Sequence, residues 1–311
     1  MKVAVVAHSG KTLGGGLLEL RRLLEAEHVT DLFWVEVPKS RKAPAQVKRA
    51  LDEGADLVFA WGGDGMVQRC VDVLAGSQAD LAIIPAGTAN LFATNLGIPK
   101  DIPGAVALGL HGQRHRFDVG RFNGERFAVM AGAGFDAAMI KGSGSLKERL
   151  GRVAYVISGS ENLRLKAFGA TIKVDGVTWF KGKATCLLLG NVGKLFGGVE
   201  AFEDAEPDDG LLELGVVTAE GPVQWARTIA RTAVGSASDS PFVQVTKARS
   251  VEVKLDRKVL YELDGGDRTK VKAFEVEVEP GAVSVCVPNG SGRLGFAGPE
   301  TTSRTDKRGT S

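Results

Sequence analysis

Leu57-Val58-Phe59-Ala60-Trp61-Gly62-Gly63-Asp64-Gly65-Met66 is the stretch whose reading decides the fold. Leu57 to Trp61 are five consecutive apolar residues, the pattern of a buried strand. Three glycines around one aspartate follow. From Met66 on, apolar residues recur at Met66, Val67, Cys70, Val71 and Leu74, a helical spacing. In an open parallel sheet such a strand–turn–helix junction lies at the carboxyl end of the strand, where ligands bind. Glycine lets the backbone approach a phosphate, and the N–H groups that start a helix can hold an anion. Asp64 is the odd residue, because a carboxylate repels phosphate unless a cation lies between them. It therefore points to a magnesium–nucleotide site, although a capping aspartate in a tight turn has the same spacing.

A second unit of the same kind follows at once. Leu81-Ala82-Ile83-Ile84 reads as a strand and Pro85-Ala86-Gly87-Thr88-Ala89-Asn90 as a polar loop. Leu91 to Leu96 reads as a short helix stopped by Gly97 and Pro99. If the two strands are parallel neighbours, both loops open into one crevice, and a nucleotide site becomes the better reading.

Working outward toward the N-terminus, the same alternation continues. Val3 to Ala7 is a strand, Leu17 to Glu27 a helix, Leu32 to Val37 a strand, and Ala45 to Glu53 a helix ended by Gly54. This alternation predicts a doubly wound parallel α/β domain. The loop after the first strand ends in Gly10-Lys11-Thr12. It is not a P-loop, because Val5 stands where that pattern needs a glycine. Ser9, Gly10 and Lys11 are still candidates to touch phosphate, beside the alternative of an ordinary strand-to-helix turn.

Bulk properties set limits. The chain has 311 residues, 44% hydrophobic and 24% charged, as soluble globular proteins do. A net charge of +2 gives no bulk attraction to nucleic acid. The three cysteines, Cys70, Cys186 and Cys286, lie far apart in apolar runs, without metal-ligand spacing. They read as buried thiols in a reducing compartment. The first apolar run, Val3 to Ala7, is too short and too soon interrupted for a signal peptide, and no apolar run reaches the roughly 20 residues of a membrane span. A cytoplasmic location is expected, with any lipid contact peripheral at the inner membrane face.

Near residue 115 the pattern changes. Arg116–Arg121 and Arg126–Met130 read as strands joined by an Asn123-Gly124 hairpin, followed by a small-residue loop at 131–134. Residues 146–166 read as a basic amphipathic helix. Its residues suit a core-packing helix with a solvated face better than one lying on a membrane. From Ala170 strands dominate, with a hairpin at Asp175-Gly176 and one helix at 222–234. Such strands predict an antiparallel sandwich or barrel-like second domain. The strand segments 273–278 and 283–287 close the series. Residues 296–311 are expected to be disordered.

Three further acidic sites stand out. They are Asp118, the turn Glu206-Pro207-Asp208-Asp209-Gly210-Leu211-Leu212-Glu213, and the turn Tyr261-Glu262-Leu263-Asp264-Gly265-Gly266-Asp267-Arg268. Asp and Gly are ordinary turn residues, but phosphoryl transfer needs metal-holding carboxylates and a base near the acceptor hydroxyl. With these residues in view, Gly62-Gly63-Asp64-Gly65, Pro85 to Ala93 and Leu96-Gly97-Ile98-Pro99 resemble the diacylglycerol kinase catalytic family, over about residues 1–290. The first motif alone is shared with NAD kinases and phosphofructokinases. The resemblance implies an α/β nucleotide domain at 1–121, a β-sandwich domain at 122–288 and an active site in the cleft between them. A strand near 283–295 is a candidate to return to the first domain.

It further implies ATP and Mg2+ as cofactors. Gly62, Gly63, Asp64, Gly65 and Gly87 would hold the nucleotide and metal, and Thr88 and Asn90 would line its phosphate or ribose side. Ser40 lies about where the family has a nucleotide-contacting threonine. Asp118 would belong to a carboxylate network with Asp64. Asp209, with the carbonyls of Leu211 and Glu206, would ligate a second, structural magnesium. One departure bears on catalysis. The family's Asp-Gly-Glu, whose glutamate is the general base, is Asp264-Gly265-Gly266 here, leaving Asp267 or Asp264 for that task. The expected activity is ATP- and Mg-dependent phosphorylation of diacylglycerol or a related lipid alcohol at a membrane surface. The alternatives are a catalytically weak nucleotide- or lipid-binding relative and an NAD kinase-like kinase of a soluble alcohol. The sequence leaves a homodimer open.

Overall fold

The computed structural model describes residues 1–134, 167–195, 199–234 and 240–289. The expected helix at 146–166 and the tail 296–311 lie outside the described residues. The first half alternates strands and helices: β1 (Val3–His8), α1 (Gly16–Ala26), β2 (Leu32–Val37), α2 (Ala43–Asp52), β3 (Leu57–Gly62), α3 (Asp64–Leu74) and β4 (Asp80–Pro85). Then come α4 (Leu91–Asn95) and α5 (Ile102–His111), the latter capped by Asp101, whose carboxylate accepts from Gly104 N. The four strands pair in parallel in the order β2-β1-β3-β4. Side chains alternate across β3. Leu57, Phe59 and Trp61 pack with α1 and α5 on one face, and Val58 and Ala60 pack with α2 and α3 on the other.

The second half is antiparallel. Its strands are β5 (Gln113–Phe122), β6 (Glu125–Phe127), β7 (Met130–Ala133), β8 (Phe168–Val174), β9 (Val177–Ala184), β10 (Cys186–Gly190), β11 (Lys194–Leu195), β12 (Val199–Glu200) and β13 (Leu212–Val217). After α6 (Gly221–Val234) come β14 (Val243–Ala248), β15 (Ser250–Val259), β16 (Tyr261–Leu263), β17 (Gly266–Asp267) and β18 (Val271–Val287). One six-stranded sheet runs β14-β13-β10-β7-β16-β17 and packs on β8, β15 and β18 through Phe122, Phe127, Leu187, Leu214, Val253 and Phe274. Three hairpin turns have both central residues at positive φ, the geometry that matches strand twist: Asn123-Gly124 (46° and 92°), Asp175-Gly176 (48° and 82°) and Asp264-Gly265 (46° and 76°).

Two readings of the sequence change. Residues 131–133, read as a loop, form strand β7. Their small side chains let it lie between β10 and β16. The segments 273–278 and 283–287, read as two strands, are the single 17-residue strand β18. Its first part pairs with β15, Val276 to Val287 pair with β5, and Ser284 and Val285 pair with Asp80 and Leu81 of β4. One ten-stranded sheet therefore runs through both halves. Pro280-Gly281, which looks like a break, is a bulge at a register shift between Glu279 and Val283, where a missing N–H and a φ of 55° are tolerated.

Cys70, Cys186 and Cys286 are buried and free, as read from the sequence. Among the described residues no helix is long and apolar enough to cross a membrane.

Gly120 of β5 lies under the ring of Phe127, which is fully buried and would overlap any Cβ placed there. Gly120→Ala is expected to destabilise the protein by about 1–3 kcal/mol. Urea unfolding should show a lower midpoint with an unchanged slope.

Candidate active site

Parallel pairing of β3 with β4 brings their two loops together, since Trp61 lies opposite Ile84 and Gly62 opposite Pro85. The contact is backbone against backbone. A Cβ on Gly63 would come within 3.0 Å of Gly87 Cα, and one on Gly87 would overlap Gly63 Cα. A Cβ on Gly62 would meet Met66 Cβ at 2.5 Å. These positions accept only glycine. The result is a ledge free of side chains at the start of α3, whose first turn closes through Met66 N and Val67 N on Gly63 O. Asp64 opens the helix. Its Oδ1 accepts from Phe92 N at 3.4 Å, and burial pushes its pKa up against the lowering effect of the Leu91 and Phe92 amides. A single carboxylate thus faces both loops.

The other expected nucleotide residues divide. Ser40 is brought in: its Oγ lies 3.9 Å from the Cβ position of Gly65. Thr88 is exposed on the loop. Asn90 is turned the other way. With φ at 48°, its Oδ1 accepts from Gly87 N at 2.9 Å, and its Nδ2 donates to Pro85 O and Gly87 O at 2.9 and 3.0 Å. Its side chain braces the loop and does not reach out to a nucleotide, because the tight turn leaves these backbone groups to be satisfied from within. Ser9 and Gly10 are exposed at the end of β1, beside β3. Ser9 N donates to Val37 O, and Gly10 N donates to His8 Nδ1 at 3.1 Å. His8, absent from the sequence-derived set, lies against Gly62. Its place at the end of β1 was the only available signal.

From the second half comes the Asp264 turn. The Asp264 carboxylate is buried and accepts from Ala128 N, Val129 N and Met130 N at 2.8, 2.9 and 2.8 Å. Burial pushes its pKa up to about 7 against these three amides, and the charge of Asp64 pushes it the same way. Asp267, in contrast, is exposed on the edge strand β17, opposite Glu262. Gly266 has no room for a side chain as the turn stands, since its Cβ would lie 2.7 Å from Arg268 Nη1. The Arg268 guanidinium donates to Gly266 O and pairs with both oxygens of Glu125, which also accepts from Arg69 Nη1 at 2.9 Å. Glu125, Arg69 and Arg268 escaped the sequence reading because no motif links three residues so far apart in the chain.

The Asp118 carboxylate accepts from Gly210 N and Gly281 N, both at 2.7 Å, and burial, then repulsion from Asp209 and Asp208, raises its pKa. It ties the acidic turn to the bulge of β18. Asp209 Oδ1 accepts from Leu211 N and Oδ2 from Lys247 Nζ, at 2.9 and 2.8 Å, while Glu206 O accepts from Asp209 N. Among the described residues no three metal-ligating side chains gather. A lysine ammonium thus sits on Asp209, where the resemblance implies magnesium. Asp64 does fit the first magnesium, which commonly takes one or two carboxylates and completes its shell with phosphate oxygens and water.

Residues 2–122 match the family model described as diacylglycerol kinase catalytic domain. Residues 129–287 match the YegS C-terminal NAD kinase beta sandwich-like domain. A Cronobacter sakazakii protein named "Probable lipid kinase YegS-like" is 31% identical over 79% of this chain and 83% of its own. A Staphylococcus aureus diacylglycerol kinase is 29% identical over 87% of this chain and 86% of its own. The crystal structure of a diacylglycerol kinase from Bacillus anthracis superposes with a TM-score of 0.70 at 22% identity, covering 93% of this chain and 97% of that one, a likeness of fold.

A carboxyl group whose folded pKa lies above its unfolded value lowers stability when ionised. For Asp264 that penalty is full above about pH 7 and is relieved as the pH falls toward 3.8. The interval corresponds to roughly 4 kcal/mol. Urea unfolding from pH 8 to pH 4 should therefore show the wild type gaining stability relative to Asp264→Asn on acidification. Parallel profiles would remove the assigned elevation.

Proposed function

Because this chain belongs to the diacylglycerol kinase catalytic-domain family, we propose that it transfers the γ-phosphoryl group of ATP to the hydroxyl of diacylglycerol or a related lipid alcohol. The observation that carries the reading is the contact of Gly63 with Gly87 beside the Asp64 carboxylate. It supplies a backbone surface for phosphates at a helix start, with one acid to meet their counter-ion. Magnesium, when bound there with the nucleotide, would neutralise charge on the β- and γ-phosphates. Asp64 would hold that ion, Ser40 and Gly65 would flank the phosphates, and Thr88 would stand at the lip of the site.

Asp264 is the better base of the two aspartates. It is coupled to Asp64, and a pKa of about 7 suits a group that must accept a proton near neutrality. The acceptor's hydroxyl proton would pass to the Asp264 carboxylate as its oxygen attacks the γ-phosphorus, while the bond from that phosphorus to the β–γ bridging oxygen breaks and ADP leaves. Its three backbone donors hold the carboxylate in one orientation and leave lone pairs for that proton. Asp267 is assigned no part in this step. A second reading, a weakly catalytic nucleotide- or lipid-binding relative, is favoured by one feature: the place of a side chain at Gly266 is taken by Arg268.

Labelled-phosphate transfer from ATP to lipid alcohols in vesicles, with a soluble alcohol alongside, separates these readings. Asp64→Ala should abolish transfer. Asp264→Asn should slow it about 10²- to 10⁴-fold, the usual worth of a general base. Asp267→Ala should leave it within about threefold, since an exposed turn residue outside the chemistry has little effect. Loss with Asp267→Ala but not with Asp264→Asn would reverse the assignment. Bound ATP without transfer to any acceptor would favour the second reading.

A further inference from the structure

We propose that Lys247 is the resident cation of the acidic turn, performing with a tethered ammonium the task that the family resemblance assigns to a structural magnesium ion. The inference does not depend on the acceptor or on the catalytic base. From Glu203 to Glu213 the chain carries Glu203, Asp204, Glu206, Asp208, Asp209 and Glu213. Asp118 packs its carboxylate against Gly210 in the same place. Like charges this dense repel one another, and a fixed turn there needs a positive charge within reach.

Lys247 supplies it with a matched set of bonds. Its Nζ lies 2.8 Å from Asp209 Oδ2, 2.8 Å from Asp204 O and 3.4 Å from Glu213 Oε1. An ammonium has three N–H donors and finds three oxygens from three residues. The two 2.8 Å contacts are N–H···O bonds and the Glu213 contact is an ion pair. The sheet fixes the lysine's position, since Lys247 of β14 lies directly opposite Glu213 of β13. At the other end of the turn His115 Nε2 lies 2.7 Å from Asp208 Oδ2. With Lys247 in place, Gly210 N meets Asp118, and Asp118 meets Gly281 N in the bulge of β18. Lys247 is thus a positioning residue that secures the turn to the strand shared by both halves.

The test uses the nucleotide-free, chelator-treated full chain carrying Asp64→Ala, so that any divalent site remaining belongs to the turn. Thermal unfolding should not respond to millimolar MgCl2 beyond an ionic-strength control, and Mn2+ titrated by electron paramagnetic resonance should find no saturable site. Adding Lys247→Met should lower Tm by about 5 °C, as loss of a partly buried ion pair does in a chain of this size, and MgCl2 or CaCl2 should restore at least half of that loss. Lys247→Arg, which keeps the charge, covers the case in which the methionine variant does not fold, and it should stay insensitive to MgCl2. A saturable Mg2+ or Mn2+ response in the chain that retains Lys247 would overturn the proposal. So would a Lys247→Met chain as stable as its parent and indifferent to divalent ions.

Discussion

The structure depends on one strand serving two halves. β18 begins beside β15 in the sandwich, takes β5 as a partner from Val276, and ends beside β4 in the parallel sheet, without leaving the hydrogen-bonded ladder. The two halves are therefore joined by backbone pairing as well as by a linker. Rotation of one against the other has to be absorbed at the bulge around Gly281, or it breaks ladder bonds that cost free energy to leave unmade. Asp118 sits on that bulge and holds Gly281 N on one oxygen and Gly210 N on the other. Its buried carboxylate is part of the joint.

A second acid crosses between the elements in a different way. Asp264 closes a hairpin turn in the sandwich and gathers three consecutive amides from 128–130, where the chain leaves β6 for β7. This carboxylate is held within the field of Asp64, which opens α3 in the other half. Both acids are raised in pKa by burial, so the site holds two carboxyl groups that oppose being charged together. A cation shared with phosphates would relieve that opposition on the Asp64 side. The site is in this sense prepared for positive charge.

Local patterns explain what could be read from the chain and what could not. The run Leu57–Trp61 and the glycines after it announced β3, its turn and α3, because burial on both faces and positive-φ or close-approach positions leave marks in composition. Asn-Gly at 123 and Asp-Gly at 175 announced their hairpins for the same reason. The continuity of β18 was hidden by Pro280-Gly281, a pair that normally ends a strand and here forms a bulge. Asn90 pointed to a ligand by its company, whereas its side chain is spent on the loop that carries it. Lys247 and the Arg69–Glu125–Arg268 group were invisible because their partners meet only through tertiary pairing. No local spacing encodes that β13 and β14 are neighbours across α6.

Gly266 carries a consequence for how this chain can change. The space a side chain there would enter is held by Arg268, whose guanidinium is pinned to Gly266 O and to both oxygens of Glu125. A glutamate introduced at 266 would have to displace it, and that displacement would strip Glu125 of one of its two arginines. A side chain at 266 and the arginine at 268 therefore compete for one space, and a chain without that arginine would keep Arg69 as the remaining guanidinium on Glu125.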